Sequence, residues 1–188
     1  MGKSSDNNTK ARNFLKQHAA FNLKPISKID IIALVGLQNT GKTVTLNELI
    51  AELIQNNAFN LVEEFIGLDL NIINQKLNIL NDDHTIYGDT RNGQDNDRVA
   101  IFNNATNGKR IGIVTTGDTP SIVAVGLLYL SSRQVDIAII ASHLVTFNQL
   151  ISEINPLSAQ IDTHKIDVVN DRLLMRNKNI RLLTSYLN

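Results

Sequence analysis

The chain carries the segment GLQNTGKT at residues 36–43, directly after the apolar run IIALV at residues 31–35. The segment matches the pattern G-x-x-x-x-G-K-[ST] without substitution. Residues 29–35 are almost all apolar and rich in β-branched side chains, which predicts a strand buried on both faces in a parallel sheet. Residues 43–56 place apolar side chains at helical spacing. The segment is therefore predicted to connect a buried strand to a helix.

Each position of this segment suits the binding of phosphate groups. We expect Gly36 and Gly41 to adopt backbone angles denied to residues with a Cβ, so that successive N–H groups point inward around an anion. The following helix directs its unpaired N–H groups and its positive dipole end at the same point. Lys42 can then reach the β and γ phosphates, and the Thr43 hydroxyl can bind Mg²⁺. The alternative is a structural turn that ends in an exposed lysine. The predicted phosphate-binding residues are Gly36, Leu37, Gln38, Asn39, Thr40, Gly41, Lys42, Thr43 and Val44.

The middle of the chain combines an ambiguous segment with a clear hairpin. The apolar side chains at 59–66 have no clean period, whereas residues 68–80 have a helical pattern, and we expect one or two helices within residues 58–96. Within them, residues 81–97 form a long polar stretch of loop composition, typical of a functional or mobile segment. Residues 98–102 and 109–114 are β-like runs, and the turn dipeptide Asn107-Gly108 between them predicts an antiparallel hairpin.

Beyond the hairpin, helices and strands alternate. Thr119 and Pro120 predict the start of a helix that continues to about residue 132. Further strands are predicted at 135–141 and 159–166, and further helices at 144–154 and 170–187. This order predicts an α/β fold with a mostly parallel sheet sandwiched by helices and one antiparallel hairpin strand. Ligands of such sheets bind beyond the carboxyl ends of the strands.

Length and composition limit the classes of protein to consider. A chain of 188 residues with 43% hydrophobic side chains predicts one domain, at 26–188, after a flexible leader at 1–25. Lys plus Arg equals Asp plus Glu at 18 each, so nucleic acid is not an expected partner. No apolar run suits a signal peptide or a membrane span, and we expect a soluble cytoplasmic protein without membrane contact. The oligomeric state stays open.

The segment 36–43 resembles the Walker A motif of the P-loop NTPase superfamily. The resemblance implies that fold and the Mg²⁺-dependent binding of a nucleoside triphosphate, ATP or GTP. The guanine-reading pattern Asn-Lys-x-Asp is missing, which argues against a Ras-like GTPase and favours ATP. The loop does not begin with a lysine, unlike that of the ParA-like ATPases, and no apolar run closes in Asp-Glu as in AAA-type ATPases.

The superfamily usually adds an acid at the end of a strand beside the first one, where it holds a water on Mg²⁺. Asp118, after the apolar residues 111–114, is the best candidate for this acid, although it falls two or three residues later than the standard position. Alternatively, Asp118 only helps to begin the next helix, and Thr115 or Thr116 faces the γ phosphate. The predicted metal ligands are Thr43 and Asp118.

Further candidates follow from position alone. Phosphoryl transfer commonly needs a mobile arginine, and Arg91 lies in the polar stretch that could close over a ligand. His143 follows the predicted strand at 135–141 and, with Ser142, could contact a substrate, although a loop residue is the simpler interpretation. Glu63 and Glu64 suit a general base or a substrate clamp, or else an exposed helix face.

Three functions are consistent with these patterns. The first is Mg²⁺-dependent transfer of a γ phosphate to a small acceptor, or its hydrolysis, with Lys42, Asp118 and Arg91 as catalytic residues. The second is a nucleotide-gated binding module that acts through partner contact with little turnover. The third is nucleotide binding without chemistry.

Overall fold

The sheet of the computed structural model contains six strands in the order β2-β3-β4-β5-β1-β6. The structure describes residues 2–18, 24–66, 97–117, 119–163 and 169–187. Strands β4, β5, β1 and β6 pair in parallel, whereas β3 is antiparallel to both β2 and β4. The predicted α/β fold, with a mostly parallel sheet and one antiparallel hairpin strand, is confirmed. The strands are β1 (Asp30–Val35), β2 (Phe59–Ile66), β3 (Arg98–Asn104), β4 (Arg110–Val114), β5 (Ile137–Ser142) and β6 (Ala159–Asp162).

Helices cover both faces of this sheet. Along β1, Ile31 and Ala33 face one hydrophobic core, while Ile32 and Leu34 face another, as expected for a strand buried on both sides. The first core contains residues of α1, α3 and α4, and the second contains residues of α2 and α5. None of the helices in the described part of the chain combines the length and apolar character that a membrane span requires. The helices are α1 (Gly2–His18), α2 (Lys42–Gln55), α3 (Pro120–Ser132), α4 (Leu144–Thr146, the π-helical Phe147–Ile151 and Ser152–Ile154) and α5 (Val169–Ser185), with a 3₁₀ turn at Ile26–Lys28.

The start of α3 is as the sequence predicts. Thr119 is the N-cap residue, and its side-chain oxygen accepts a hydrogen bond from the Ile122 N–H at 3.3 Å. Pro120 occupies the first helical turn, where its missing N–H has no cost.

The N-terminal segment corrects one prediction. Residues 1–25 are predicted to be a flexible leader, but α1 spans Gly2–His18, and its Phe14 and Leu15 are buried in the first core. Polar contacts also join α1 to the π-helical turn of α4, since Arg12 donates to the Gln149 carbonyl at 3.0 Å. The sequence indicates only a possible short helix at residues 14–21 within this segment, and the contacts with α3 and α4 account for the longer helix that the structure has.

Strand β2 corrects a second prediction. We expected one or two helices within residues 58–96 and no strand, but Phe59–Ile66 is a strand that pairs with β3. The register shifts between Leu61 and Glu63, which marks a β-bulge or similar irregularity. An extra residue in the strand interrupts the alternation of apolar and polar side chains, and that alternation is the signal by which a strand is recognised.

Asp136 connects three segments at the end of the sheet opposite the segment 36–43. Its carboxylate accepts hydrogen bonds from the Arg110 N–H at 2.8 Å and from the Lys24 ammonium at 2.5 Å. Burial alone would raise the pKa of Asp136, but these hydrogen bonds outweigh it and hold the pKa below its ordinary value. Asp136 is therefore a structural group.

Replacing Asp136 by Asn is expected to lower the free energy of unfolding at pH 7. The side chain is 41% exposed, so the expected loss is modest, about 1 kcal/mol. The folded pKa lies below the unfolded one, so this stabilisation is present above about pH 4 and disappears as the pH falls through the folded pKa. Urea unfolding at pH 7 and near pH 3 should show the difference shrinking in acid, with the exposed Asp30→Asn as control. If Asp136→Asn lowers the free energy of unfolding by the same amount at both pH values, the charged carboxylate of Asp136 does not stabilise the fold as assigned.

Candidate functional site

The segment 36–43 forms a tight loop between β1 and α2, as predicted. Asn39 and Gly41 have the left-handed φ values of 62° and 85°. The carbonyl of Gly41, the N-cap residue of α2, accepts hydrogen bonds from both the N–H and the hydroxyl of Thr45, each at 2.9 Å. The first N–H groups of α2 therefore lie at the end of the loop, where a helix favours an anion.

Gly36 has a different role from the predicted one. Among the described glycines only Gly41 and Gly108 have positive φ, so the prediction of a special backbone angle is correct for Gly41 and wrong for Gly36. A Cβ on Gly36 would lie 2.1 Å from Thr163 Oγ1 and 2.6 Å from Thr40 Oγ1. Gly36 is needed because two hydroxyl groups occupy the space of a side chain.

Lys42 folds back over the loop. Its side-chain nitrogen donates hydrogen bonds to the carbonyls of Gly36 at 3.1 Å and Leu37 at 2.7 Å. The residue is only 6% exposed, so the lysine is not the exposed side chain that the alternative of a structural turn assumed. A positive charge is held within the loop, and two loop carbonyls are among its partners. A strongly attracting anion can replace these two carbonyls.

Thr43 connects α2 to the segment after β4. Its hydroxyl donates to the Thr115 carbonyl at 3.1 Å, so the lone pairs of the hydroxyl oxygen remain available to a cation. The Thr115 hydroxyl in turn accepts from the Arg98 N–H at 2.7 Å, and Thr115 is fully buried. The Thr115 carbonyl thus orients Thr43, and the Thr115 hydroxyl is hydrogen-bonded to the backbone of β3.

The segment after β4 reaches the loop although β4 does not neighbour β1. The predicted acid was placed after a strand beside the first one, but β5 lies between β1 and β4. The gap is crossed because Gly117 packs against the end of β5, where a Cβ on Gly117 would lie 1.8 Å from the Ala141 carbonyl oxygen. The segment 115–117 therefore lies along the carboxyl ends of β4 and β5.

A cavity of about 580 Å³ opens over the loop at this edge of the sheet. Seven of the nine predicted phosphate-binding residues line it, from Gln38 to Val44, and Gly36 and Leu37 contribute the carbonyls that hold Lys42. The lining residues are Gln38, Asn39, Thr40, Gly41, Lys42, Thr43, Val44, Asn47, Glu48, Ala51, Asp97, Arg98, Gly117 and Ala141.

Asp97 is a site residue that sequence reasoning missed. It precedes β3, lines the cavity and is only 8% exposed. Because β3 is antiparallel to β4, the start of β3 lies at the edge where β4 ends. The predicted hairpin contained this signal, since it implies that an acid just before residue 98 lies beside the residues that follow 114.

The cavity extends past the loop along one face of α2. Val44, Asn47, Glu48 and Ala51 line it at a spacing of three and four residues, which covers roughly 10 Å of the helix axis. Glu48 is fixed by an ion pair with Arg176 of α5 at 2.5 Å. This wall of the cavity therefore carries polar and charged groups away from the loop.

The other sequence candidates either fall outside the described residues or do not line the cavity. Arg91 and Asp118, and the predicted helix at 68–80, are outside the described residues. Ser142 is buried and its carbonyl accepts from the Gly36 N–H at 3.2 Å, so it supports the loop, and neither Ser142 nor His143 lines the cavity. Neither Glu63 nor Glu64 lies on a helix, since both belong to β2.

Glu63 belongs to a structural cluster at the C-terminal end of α3. It accepts a hydrogen bond from Arg133 Nε at 2.9 Å, and the same nitrogen lies 3.1 Å from the Tyr129 hydroxyl. Burial raises the pKa of Tyr129 well above its usual range, and the nearby Glu63 raises it further. Glu64 pairs with Arg98 at 3.2 Å.

The residues around the loop fit a magnesium ion that is shared with phosphate groups. Within the described residues no group of three or more His, Cys, Asp or Glu side chains could hold a metal. Thr43 and Asp97 instead offer one hydroxyl and one carboxylate at the cavity, and Mg²⁺ is usually bound by few protein ligands together with waters and phosphate oxygens.

Comparison with family models, with curated proteins and with solved structures finds no match to this chain.

Proposed function

We propose that the loop 36–43 binds the phosphates of a Mg²⁺-bound nucleoside triphosphate, ATP or GTP. The proposal rests on one observation. Residues 38–44, which include the first residues of α2, line a single cavity of about 580 Å³. Its volume is in the usual range for small-molecule sites. The P-loop NTPase resemblance points to the same ligand, and the missing guanine-reading pattern favours ATP.

The described residues suit separate tasks in this proposal. The N–H groups at the start of α2 and the Lys42 ammonium offset the negative charge of the β and γ phosphates. Mg²⁺ would be held by Thr43 and an acid, either Asp97 or the sequence candidate Asp118, and when bound it neutralises charge that develops on the phosphate oxygens. Asp118 and the candidate arginine Arg91 remain predictions.

The shape of the cavity favours transfer to a small acceptor over simple hydrolysis. The wall along α2 continues beyond the loop and includes Asn47 and Glu48, and Arg98 of β3 lines the same cavity. Together these side chains can hold hydroxyl or amino groups of a second molecule. In such a transfer an acceptor oxygen bonds to the γ phosphorus while the bond to the bridging oxygen breaks, releasing a nucleoside diphosphate. Asp97, if Asp118 is the acid that holds Mg²⁺, would receive the acceptor proton.

Mg-ATP is expected to stabilise the wild-type chain. At a ligand concentration 100 times Kd the gain is about 2.7 kcal/mol, which raises Tm by about 5–10 °C for a chain of this size. Thermal unfolding with Mg-ATP, Mg-GTP, the diphosphates and adenosine measures this, with adenosine as the phosphate-free control. Calorimetry then gives Kd. Formation of the nucleoside diphosphate with and without candidate acceptors measures total turnover, and release of inorganic phosphate measures the part that is hydrolysis.

The outcomes separate the candidate functions. Binding together with acceptor-dependent loss of triphosphate supports a phosphotransferase, and acceptor-independent phosphate release supports hydrolysis. Binding without turnover supports the nucleotide-gated module or a protein that only binds nucleotide. If neither calorimetry nor thermal unfolding detects binding of any Mg-nucleotide, the proposal is wrong.

A further inference from the structure

We infer that Thr163, which follows β6 and lies outside the loop in sequence, is a positioning residue that holds the loop in its binding conformation. The inference rests on the proposed function. Thr163 is buried, and its hydroxyl oxygen lies 2.8 Å from the Thr40 hydroxyl and 3.0 Å from the Val35 carbonyl. It does not line the cavity, so any effect on a ligand acts through the loop.

Thr163 connects the loop to the sheet by side chain and backbone together. Its N–H donates to the Val35 carbonyl at 2.7 Å, which fixes the residue beside the end of β1. Its hydroxyl then reaches Thr40 in the middle of the loop, across the space where a Cβ of Gly36 would lie. The Thr163 hydroxyl can therefore reach Thr40 only because Gly36, the first glycine of the loop, has no side chain.

The hydroxyl groups of Thr40 and Thr163 have one proton each, but together they make three hydrogen-bond contacts. Thr40 Oγ1 lies 2.9 Å from the Leu37 carbonyl as well as 2.8 Å from Thr163 Oγ1. In one arrangement Thr163 donates to Thr40, and Thr40 donates to Leu37. In the other, Thr40 donates to Thr163, and Thr163 donates to Val35, whose carbonyl already has the Thr163 N–H. As long as Lys42 also donates to Leu37, the Leu37 and Val35 carbonyls each have a donor in both arrangements.

Both arrangements join the middle of the loop to Thr163 and, through the backbone N–H of Thr163, to the end of β1. Hydrogen bonds in such a chain also strengthen one another. Thr163 thus keeps the loop ordered before the ligand arrives.

Replacing Thr163 by Val tests this inference, because Val keeps the branched shape and removes the hydroxyl. We expect the Kd for Mg-ATP, and for Mg-pyrophosphate as a probe of the loop alone, to rise about tenfold, equivalent to about 1.4 kcal/mol. Thr163→Ser retains the hydroxyl and should bind within about twofold of wild type. Thr146→Val, at another buried threonine in α4, should leave both Kd values unchanged.

Rescue by Ser distinguishes positioning through the hydroxyl from a general loss of packing, which Ser would share. If Thr163→Val does not fold, as judged by circular dichroism, Thr163→Ala provides the same comparison with Ser. A Kd for the folded Val or Ala variant within twofold of wild type would overturn the inference alone. Absence of nucleotide binding by the wild-type chain would instead overturn the proposed function, and with it this inference.

Discussion

Replacing Lys42 by Met is expected to raise the Kd for Mg-ATP by about 100-fold or more, since losing one partner of a charged hydrogen-bonded pair costs several kcal/mol. Met keeps the length and the apolar stem of the side chain, so the loss should reflect the ammonium group. In the described structure this ammonium contacts the Gly36 and Leu37 carbonyls. These two neutral groups attract the ammonium less strongly than a phosphate does, so a phosphate can replace them as its partners.

The same substitution should change the stability of the nucleotide-free protein little. Removal of a buried charge relieves its desolvation, which offsets the loss of its hydrogen bonds, including those to the two carbonyls. We expect a change in the free energy of unfolding within about 1 kcal/mol. Calorimetric titration with Mg-ATP and urea unfolding of the same preparation measure both quantities. Lys28→Met, at an exposed position of the 3₁₀ turn, is the matched control. A Lys42→Met protein that binds Mg-ATP within threefold of wild type would show that the loop is not the phosphate site.

The loop and most of the strands and helices along the chain could be predicted because each depends on a local sequence pattern. The glycine segment between an apolar run and an amphipathic helix defines β1 and α2, and Thr119-Pro120 defines the start of α3. These signals depend on backbone geometry and hydrogen-bonding groups within a few residues of one another. They also placed the cavity at the carboxyl edge of the sheet, where the structure has it.

Contacts between distant residues could not be predicted in the same way. Asp97 reaches the cavity only because β3 runs opposite to β4, and Thr163 reaches the loop only because β6 pairs with β1. Helix α1 depends on its contacts with α3 and α4. The pairing of distant strands decides which side chains meet at the edge, and neither periodicity nor a short motif specifies that pairing.

Replacing Gly117 by Ala is expected to destabilise the protein by more than about 3 kcal/mol, a large part of the stability of an ordinary domain. The new Cβ would lie 1.8 Å from the Ala141 carbonyl oxygen and 2.4 Å from its carbon. Both partners are backbone, so no side-chain rotation relieves the overlap, and the segment 115–117 must move away from β5. That movement would also displace the Thr115 carbonyl that orients Thr43, so the Kd for Mg-ATP should rise in any fraction that folds.

Gly126→Ala provides the matched control, since Gly126 is buried in α3 and the same atom is added. Its Cβ would meet Val114 side-chain carbons at 3.2 and 3.4 Å, a tight contact that the higher helix propensity of Ala offsets by up to about 1 kcal/mol. Urea unfolding of both variants compares the two sites directly, and we expect Gly126→Ala to remain within about 1 kcal/mol of wild type. Equal stabilities for the two variants would mean that the segment after β4 does not pack against the end of β5. The route by which β4 reaches the loop across β5 would then be wrong, and with it the assignment of Thr115 as the residue that orients Thr43.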